Sequence, residues 1–146
     1  MSLIHLIYVS TAPKELGTAE LDRILESSVR HNTPQQVTGM LLYAGGSFMQ
    51  VLEGEEAAVD ETFKRIKQDP RHTNVFEIAR EPLTERNFER WSMGFRCLGA
   101  HDAASHPGYA PFFARGFDPA TIGAHPGLAL EMLMDFGRNQ GAGGVG

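Results

Sequence analysis

A single cysteine, Cys97, among 146 residues excludes a disulfide within the chain. Such sparing use of cysteine fits a reducing compartment, and the cytoplasm is the expected location. No apolar run approaches the ~20 residues that span a bilayer, so no membrane role is expected. The opening stretch Met1-Ser2-Leu3-Ile4-His5-Leu6-Ile7-Tyr8 has no basic segment ahead of a long apolar run, which argues against an ordinary secretory signal. Positive charge is in deficit, with 13 Lys and Arg against 18 Asp and Glu for a net charge of −5. That balance argues against an electrostatic grip on nucleic acid. There is no Walker-type phosphate loop and no G-x-G-x-x-G. The histidines (His5, His31, His72, His101, His106 and His125) show no metal-ligand spacing, even for the pair His101 and His106 in an expected loop, so no metal is expected. No serine stands in a nucleophile elbow, and nothing near Cys97 resembles a base.

What is present is an ordinary globular composition, 42% hydrophobic and 21% charged. The length predicts one domain, able to bury roughly two-thirds of its unfolded surface without staples. Leu3 to Ser10 reads as a central strand, with Leu6 and Tyr8 on one face and His5, Ile7 and Val9 on the other. Thr18 is the expected N-cap of an amphipathic helix with Glu20 in its first turn and Leu21, Ile24, Leu25 and Ser28 as its stripe. That helix is expected to end near His31-Asn32, closed by Thr33-Pro34. Val37–Tyr43 and Ser47–Glu53 read as a hairpin joined by Ala44-Gly45-Gly46. Gly54 is expected to begin a second helix, striped by Val59, Phe63 and Ile66 and ended by Asp69-Pro70. Val75–Arg80 and Ser92–Leu98 read as two further strands, either side of a polar stretch from Glu85 to Arg90.

The order β-α-β-β-α-β plus one strand predicts an α+β fold. It is a ferredoxin-like sheet of about five strands, with two helices on one face. A tail from residue 99 is expected to cover the other face. Tyr109–Phe117 is aromatic-rich and partly helical, and Pro126-Gly127 opens a helix with Leu128, Met132, Leu133 and Phe136 on one side. That apolar side could seat on the open sheet face or against a second copy of the chain. The expected division is a core over 1–98, a helical extension over 99–140 and a flexible tail over 141–146.

A fold of this order hosts unrelated functions. The aromatic run of an RNA-recognition sheet is missing. So is the anion-binding Arg that an acylphosphatase needs, because Ser10-Thr11-Ala12-Pro13-Lys14 offers only a lysine. The informative set is Tyr8, Asn32 and Gln50. Tyr8 and Gln50 lie on neighbouring central strands, in rows that can face the helices, and Asn32 ends the first helix. A phenol and two carboxamides could form a satisfied core network, or could meet the donor-and-acceptor rim of a planar heterocycle.

The stretches Leu6-Ile7-Tyr8-Val9-Ser10, Val37-Thr38-Gly39-Met40-Leu41-Leu42-Tyr43 and Gly46-Ser47-Phe48-Met49-Gln50-Val51-Leu52-Glu53-Gly54 are followed by Asp69-Pro70-Arg71-His72 and Trp91-Ser92-Met93. In that order and spacing they resemble the BLUF family, sensors of blue light using FAD. The resemblance implies a non-covalent FAD, with FMN also admissible, and a photoactive set of Tyr8, Gln50, Trp91 and Met93. Tyr8 is then the redox-active phenol, and Gln50 lies between it and the flavin. Asn32 bonds the carbonyl edge of the ring, and Ile24 and Ile66 sandwich it. Ser28, His31, Phe48, Arg65, Asp69, Arg71 and His72 complete the implied pocket. His31 stands where the family more often has a second Asn. The implied role is light sensing without catalytic turnover, passed to a separate signalling protein or through a homodimer or larger homo-oligomer. A flavin-dependent enzyme and a flavin-free interaction module of the same fold are the competing readings.

Overall fold

The computed structural model describes residues 2–14, 16–89 and 93–138. Its elements are β1 (Leu3–Thr11), α1 (Thr18–Gln35), β2 (Thr38–Ala44), β3 (Ser47–Glu55), α2 (Glu56–Gln68), β4 (Thr73–Pro82) and β5 (Gly94–Cys97), followed by α3 (Ala100–Ser105), α4 (Ala110–Phe113), α5 (Pro119–Gly123) and α6 (Pro126–Arg138). The sheet order is β4-β1-β3-β2-β5. Pairing is antiparallel except for β5, which runs parallel to β2 at the edge. This is the ferredoxin-like α+β sheet that the element order predicts.

Strand alternation splits the core into two layers. Leu6, Tyr8, Leu41, Phe48 and Leu52 pack with Leu21, Ile24 and Leu25 of α1 and Val59 and Phe63 of α2. On the other face Ile7, Val9, Met40, Leu42, Met49 and Val51 pack with Phe113, Phe117, Ile122, Met132, Leu133 and Phe136. The apolar side of α6 is thus spent on the sheet of its own chain. Among the described residues no helix is long and apolar enough to cross a membrane.

Several boundaries differ from the sequence reading. Gly17, not Thr18, is the N-cap of α1, and its N–H is accepted by Glu20 Oε1 at 3.2 Å. Pro34 does not close α1. It lies in the last turn and forfeits the N–H bond that any other residue would make there to the Arg30 carbonyl, while Thr33 before it donates its hydroxyl to the Val29 carbonyl at 2.7 Å. The helix ends instead at Gln36, in the left-handed region at φ 56°, whose N–H meets the Thr33 carbonyl at 3.1 Å while Val37 N–H meets that of Asn32 at 3.0 Å. This paired closure belongs to helix C-termini, and it fixes Asn32 in the final turn.

Gly54 does not begin α2. It continues β3, because the ladder with β1 runs on through Ile4↔Gly54 and Leu3↔Glu55. Among the described residues β5 begins at Gly94, with Met93 in a bend before it. The short helices α3 and α5 have no counterpart in the sequence reading. Residues 141–146 lie outside the described residues.

At Gly39 the β2 backbone leaves no room for a side chain beside β3. A Cβ there would stand 1.9 Å from the Val51 carbonyl oxygen and 3.3 Å from Met93 Cε. No side chain fits that gap without moving backbone.

Candidate functional site

Between α1 and α2, above the centre of the sheet, lies a cleft lined by Ile24, Ser27, Ser28, His31, Asn32, Leu41, Gln50, Thr62, Arg65, Ile66, Asp69, Arg71 and His72. Ile24 comes from α1 and Ile66 from α2, so one apolar side chain reaches in from each helix. The rest of the rim is rich in hydrogen-bonding groups. Ser28 turns its hydroxyl back to the Ile24 carbonyl at 3.0 Å.

Gln50 lines the cleft at its sheet side and is 2% exposed. It faces Tyr8 directly across the β1–β3 ladder. The Tyr8 hydroxyl donates to Gln50 Oε1, and Gln50 Nε2 donates to Met93 Sδ at 3.1 Å. Tyr8 and Met93 are both fully buried. Burial, followed by the nearby Asp69 charge, pushes the Tyr8 phenol far above its ordinary value, so it holds its proton at any physiological pH. Tyr8 is further packed on Phe63, with ring centroids 5.4 Å apart.

The end of α2 supplies an ionic corner. Arg71 grips Asp69 through Nε at 3.0 Å and Nη2 at 2.6 Å, with its own backbone N–H on Oδ1 at 2.9 Å. Burial alone would raise the Asp69 carboxyl, but these bonds outweigh it and hold the group below the usual carboxylate range. His72 is held down to about 4, first by burial, with the Asp69 charge pulling it up and Arg71 pushing it further down. Neutral His72 shares a 2.8 Å hydrogen bond between its Nδ1 and the Ser10 hydroxyl.

The depressed His72 pKa has a testable consequence. In the unfolded chain this imidazole takes up a proton as pH falls through 6.5, whereas in the folded protein it resists until about 4. Stability is therefore fully present above 6.5 and declines as pH falls toward 4, by up to about 3 kcal/mol. Urea midpoints of the wild type should fall across that window and those of His72→Gln should be flatter. Equal slopes in both would remove His72 from the acid response.

The structure brings together nearly all the residues that the sequence reading nominates. Ile24, Ser28, His31, Asn32, Gln50, Arg65, Ile66, Asp69, Arg71 and His72 all line the cleft. Phe48 does not. It is fully buried beneath, against Tyr43 at 5.1 Å and His72 at 4.7 Å between ring centroids, so it supports the wall rather than forming it. Trp91 lies outside the described residues. Ser27, Leu41 and Thr62 line the cleft without having been nominated. Helical spacing carries the signal for two of them, since Ser27 is three residues from Ile24 and Thr62 four from Ile66. Leu41 is the β2 partner of Gln50.

The profile of the BLUF family, described as sensors of blue-light using FAD, matches residues 3–94. The chain is 39% identical over 93 residues to the photoactivated adenylate cyclase subunit beta of Euglena gracilis, covering 63% of this chain and 11% of that one. It therefore spans only a small part of that curated relative. Among solved structures it is similar to the dark state of BlrB, described as a BLUF protein, at 30% identity over 89% of this chain and 97% of the other, with a TM-score of 0.67. It is also similar to the ground state of BlsA, at 26% identity over 90% and 87% of the two chains, with a TM-score of 0.76. The profile takes in every residue of the cleft and stops as β5 begins, and on that match the chain belongs to the BLUF family, blue-light sensors that use FAD.

Proposed function

We propose that this chain senses blue light through the Tyr8–Gln50 pair, performs no catalytic turnover of its own, and passes the signal to a separate protein partner. The carrying observation is the buried series in which Tyr8 donates to Gln50 and Gln50 donates to Met93. The cleft suits the ring of a flavin by its chemistry. Ile24 and Ile66 offer apolar faces, and Asn32 and Gln50 carry both donors and acceptors for a rim of nitrogens and carbonyls. Arg65, Asp69, Arg71 and His72 lie on the polar side.

A bound flavin supplies the absorption of blue light and, when excited, a strong oxidant. The chain supplies the response. Burial keeps the Tyr8 proton in place in the dark. A phenol that loses an electron becomes a strong acid, and Gln50 Oε1 is the acceptor set on its hydroxyl. The Gln50 amide has a donor at one end and an acceptor at the other, so rotation or a change of tautomer exchanges the two. Among the described residues its amide nitrogen donates to a thioether, a weak acceptor, so that end of the amide gives up little on exchange. Inside the protein, where the effective dielectric is low, that exchange is felt strongly by any neighbouring chromophore.

The test is an absorption spectrum. The purified protein is expected to be yellow, to release FAD on denaturation, and to shift its flavin band slightly to the red under blue light, reverting in darkness. FMN should also bind if the grip is mainly on the ring. A protein that stays colourless after flavin is supplied, or that reduces its flavin steadily with a nicotinamide, would sink this reading.

A further inference from the structure

We infer that Glu53 is a positioning residue for the light switch: its carboxylate pins the segment between β4 and β5 and thereby sets where Met93 meets Gln50. The inference rests on the reading of Gln50 as the switching amide and extends it to the opposite face of the sheet.

Glu53 is 0% exposed. It lies on β3 three residues after Gln50, and strand alternation turns it to the other face. A wholly buried carboxylate is costly unless its oxygens are satisfied. Here they are satisfied by one short stretch of chain. Oε2 accepts the Asn87 N–H at 2.7 Å, and Oε1 accepts the Phe88 N–H at 2.9 Å and the Thr38 hydroxyl at 3.0 Å. Arg86 Nη1 reaches the Thr38 hydroxyl at 2.9 Å and the Glu53 backbone carbonyl at 3.2 Å. His5, the β1 partner of Glu53, bonds instead to Glu81 at 3.1 Å. The compensation for Glu53 thus comes from residues 86–88 and Thr38.

Among the described residues, these bonds act on a segment outside the strands. β4 ends at Pro82 and β5 begins at Gly94. Phe88 is 4% exposed and packs into the core layer under the sheet. Five residues later Met93 stands against Gln50, and Gly94 is caught by its pairing with Met40. Met93 is therefore suspended between two fixed points, the Glu53 clamp and the β2–β5 ladder. A carboxylate suits the clamp because both of its oxygens are acceptors and both face N–H groups. An amide would turn a donor toward one of them, and aspartate is a methylene short.

The experiment compares wild type with Glu53→Gln and Thr38→Val as full chains. One readout is the dark-recovery rate of the red-shifted flavin spectrum. The other is the emission of Trp91, the only tryptophan in the chain and placed in sequence between Phe88 and Met93, measured on flavin-free protein. Glu53→Gln should recover about tenfold faster and change the Trp91 emission, in line with the loss of a charged hydrogen bond. Thr38→Val should move both readouts the same way by less. A merely structural role would lower the denaturation midpoint and leave recovery and emission untouched, and that result overturns the inference. If Glu53→Gln does not fold, wild-type recovery and emission in Thr38→Val overturn it equally. If the wild type itself shows no reversible shift, the proposed function fails, and the emission alone decides for or against the clamp.

Discussion

Tyr8→Phe and Gln50→Leu are each expected to bind flavin and to lose the reversible red shift completely. The hydroxyl of Tyr8 is the proton source, and it donates to Gln50 Oε1. Phenylalanine keeps the ring packing on Phe63 and removes the hydroxyl, and with it that proton. It leaves Gln50 Oε1 buried without its donor, at a cost of about 1–3 kcal/mol, which a fold of this size tolerates. Leucine at 50 removes the amide whose two ends must exchange, while keeping an apolar side chain of similar volume in the row with Phe48 and Leu52. The Ile24 and Ile66 faces and the Asn32 rim are untouched in both variants, so colour should persist. Difference spectra taken dark and lit check the outcome. A normal reversible shift in Tyr8→Phe would overturn the mechanism while leaving fold and cofactor standing.

The largest effect on stability should come from a single methyl group at Gly39. Gly39→Ala places a Cβ 1.9 Å from the Val51 carbonyl oxygen, a main-chain atom in the centre of the sheet. A side chain could rotate away, but this obstacle cannot. Either β2 moves from β3 or their ladder breaks, and overpacking of this kind costs about 3 kcal/mol or more. The variant should show a much lower urea midpoint or accumulate as insoluble protein. Gly99→Ala is the control, because a Cβ there meets nothing within 4 Å. It should change stability by no more than about 0.5 kcal/mol. Equal midpoints for the two variants would refute the steric argument.

The strands were legible because period-2 patterning and the Gly45-Gly46 turn are local signals, and the register of Tyr8 opposite Gln50 follows from the topology they define. The cleft was legible mainly through motif resemblance, since Ile24 or Ile66 in isolation looks like any core residue. What escaped is non-local. Pro34 reads as a stop, yet the helix runs through it for one more residue, and the true end lies in the left-handed Gln36, which nothing in its residue type announces. Gly54 reads as a break, but pairing with Ile4 on a distant strand keeps it in the sheet. Glu53 reads as the polar end of a strand. Its burial depends on residues 86–88 folding over it, and strand pattern carries no record of that. The helices α3 and α5 are too short for periodicity to declare themselves.

The place of β1 in the middle of the sheet has a further consequence, for how the chain assembles. Leu3–Thr11 is synthesised before both of its partners, Ser47–Glu55 and Thr73–Pro82. The Tyr8–Gln50 bond closes 42 residues of chain and the Ser10–His72 bond closes 62. Loop closure of this length must precede the contacts that reward it, so folding is governed by long-range pairing rather than by helix formation. The nascent first strand stays apolar and unpaired until β3 and β4 are made, and this is the interval in which the chain is most open to aggregation. In the proposed cleft, flavin needs α1, α2 and both central strands at once. It is therefore a ligand of the finished fold, raising its stability by mass action rather than templating its formation.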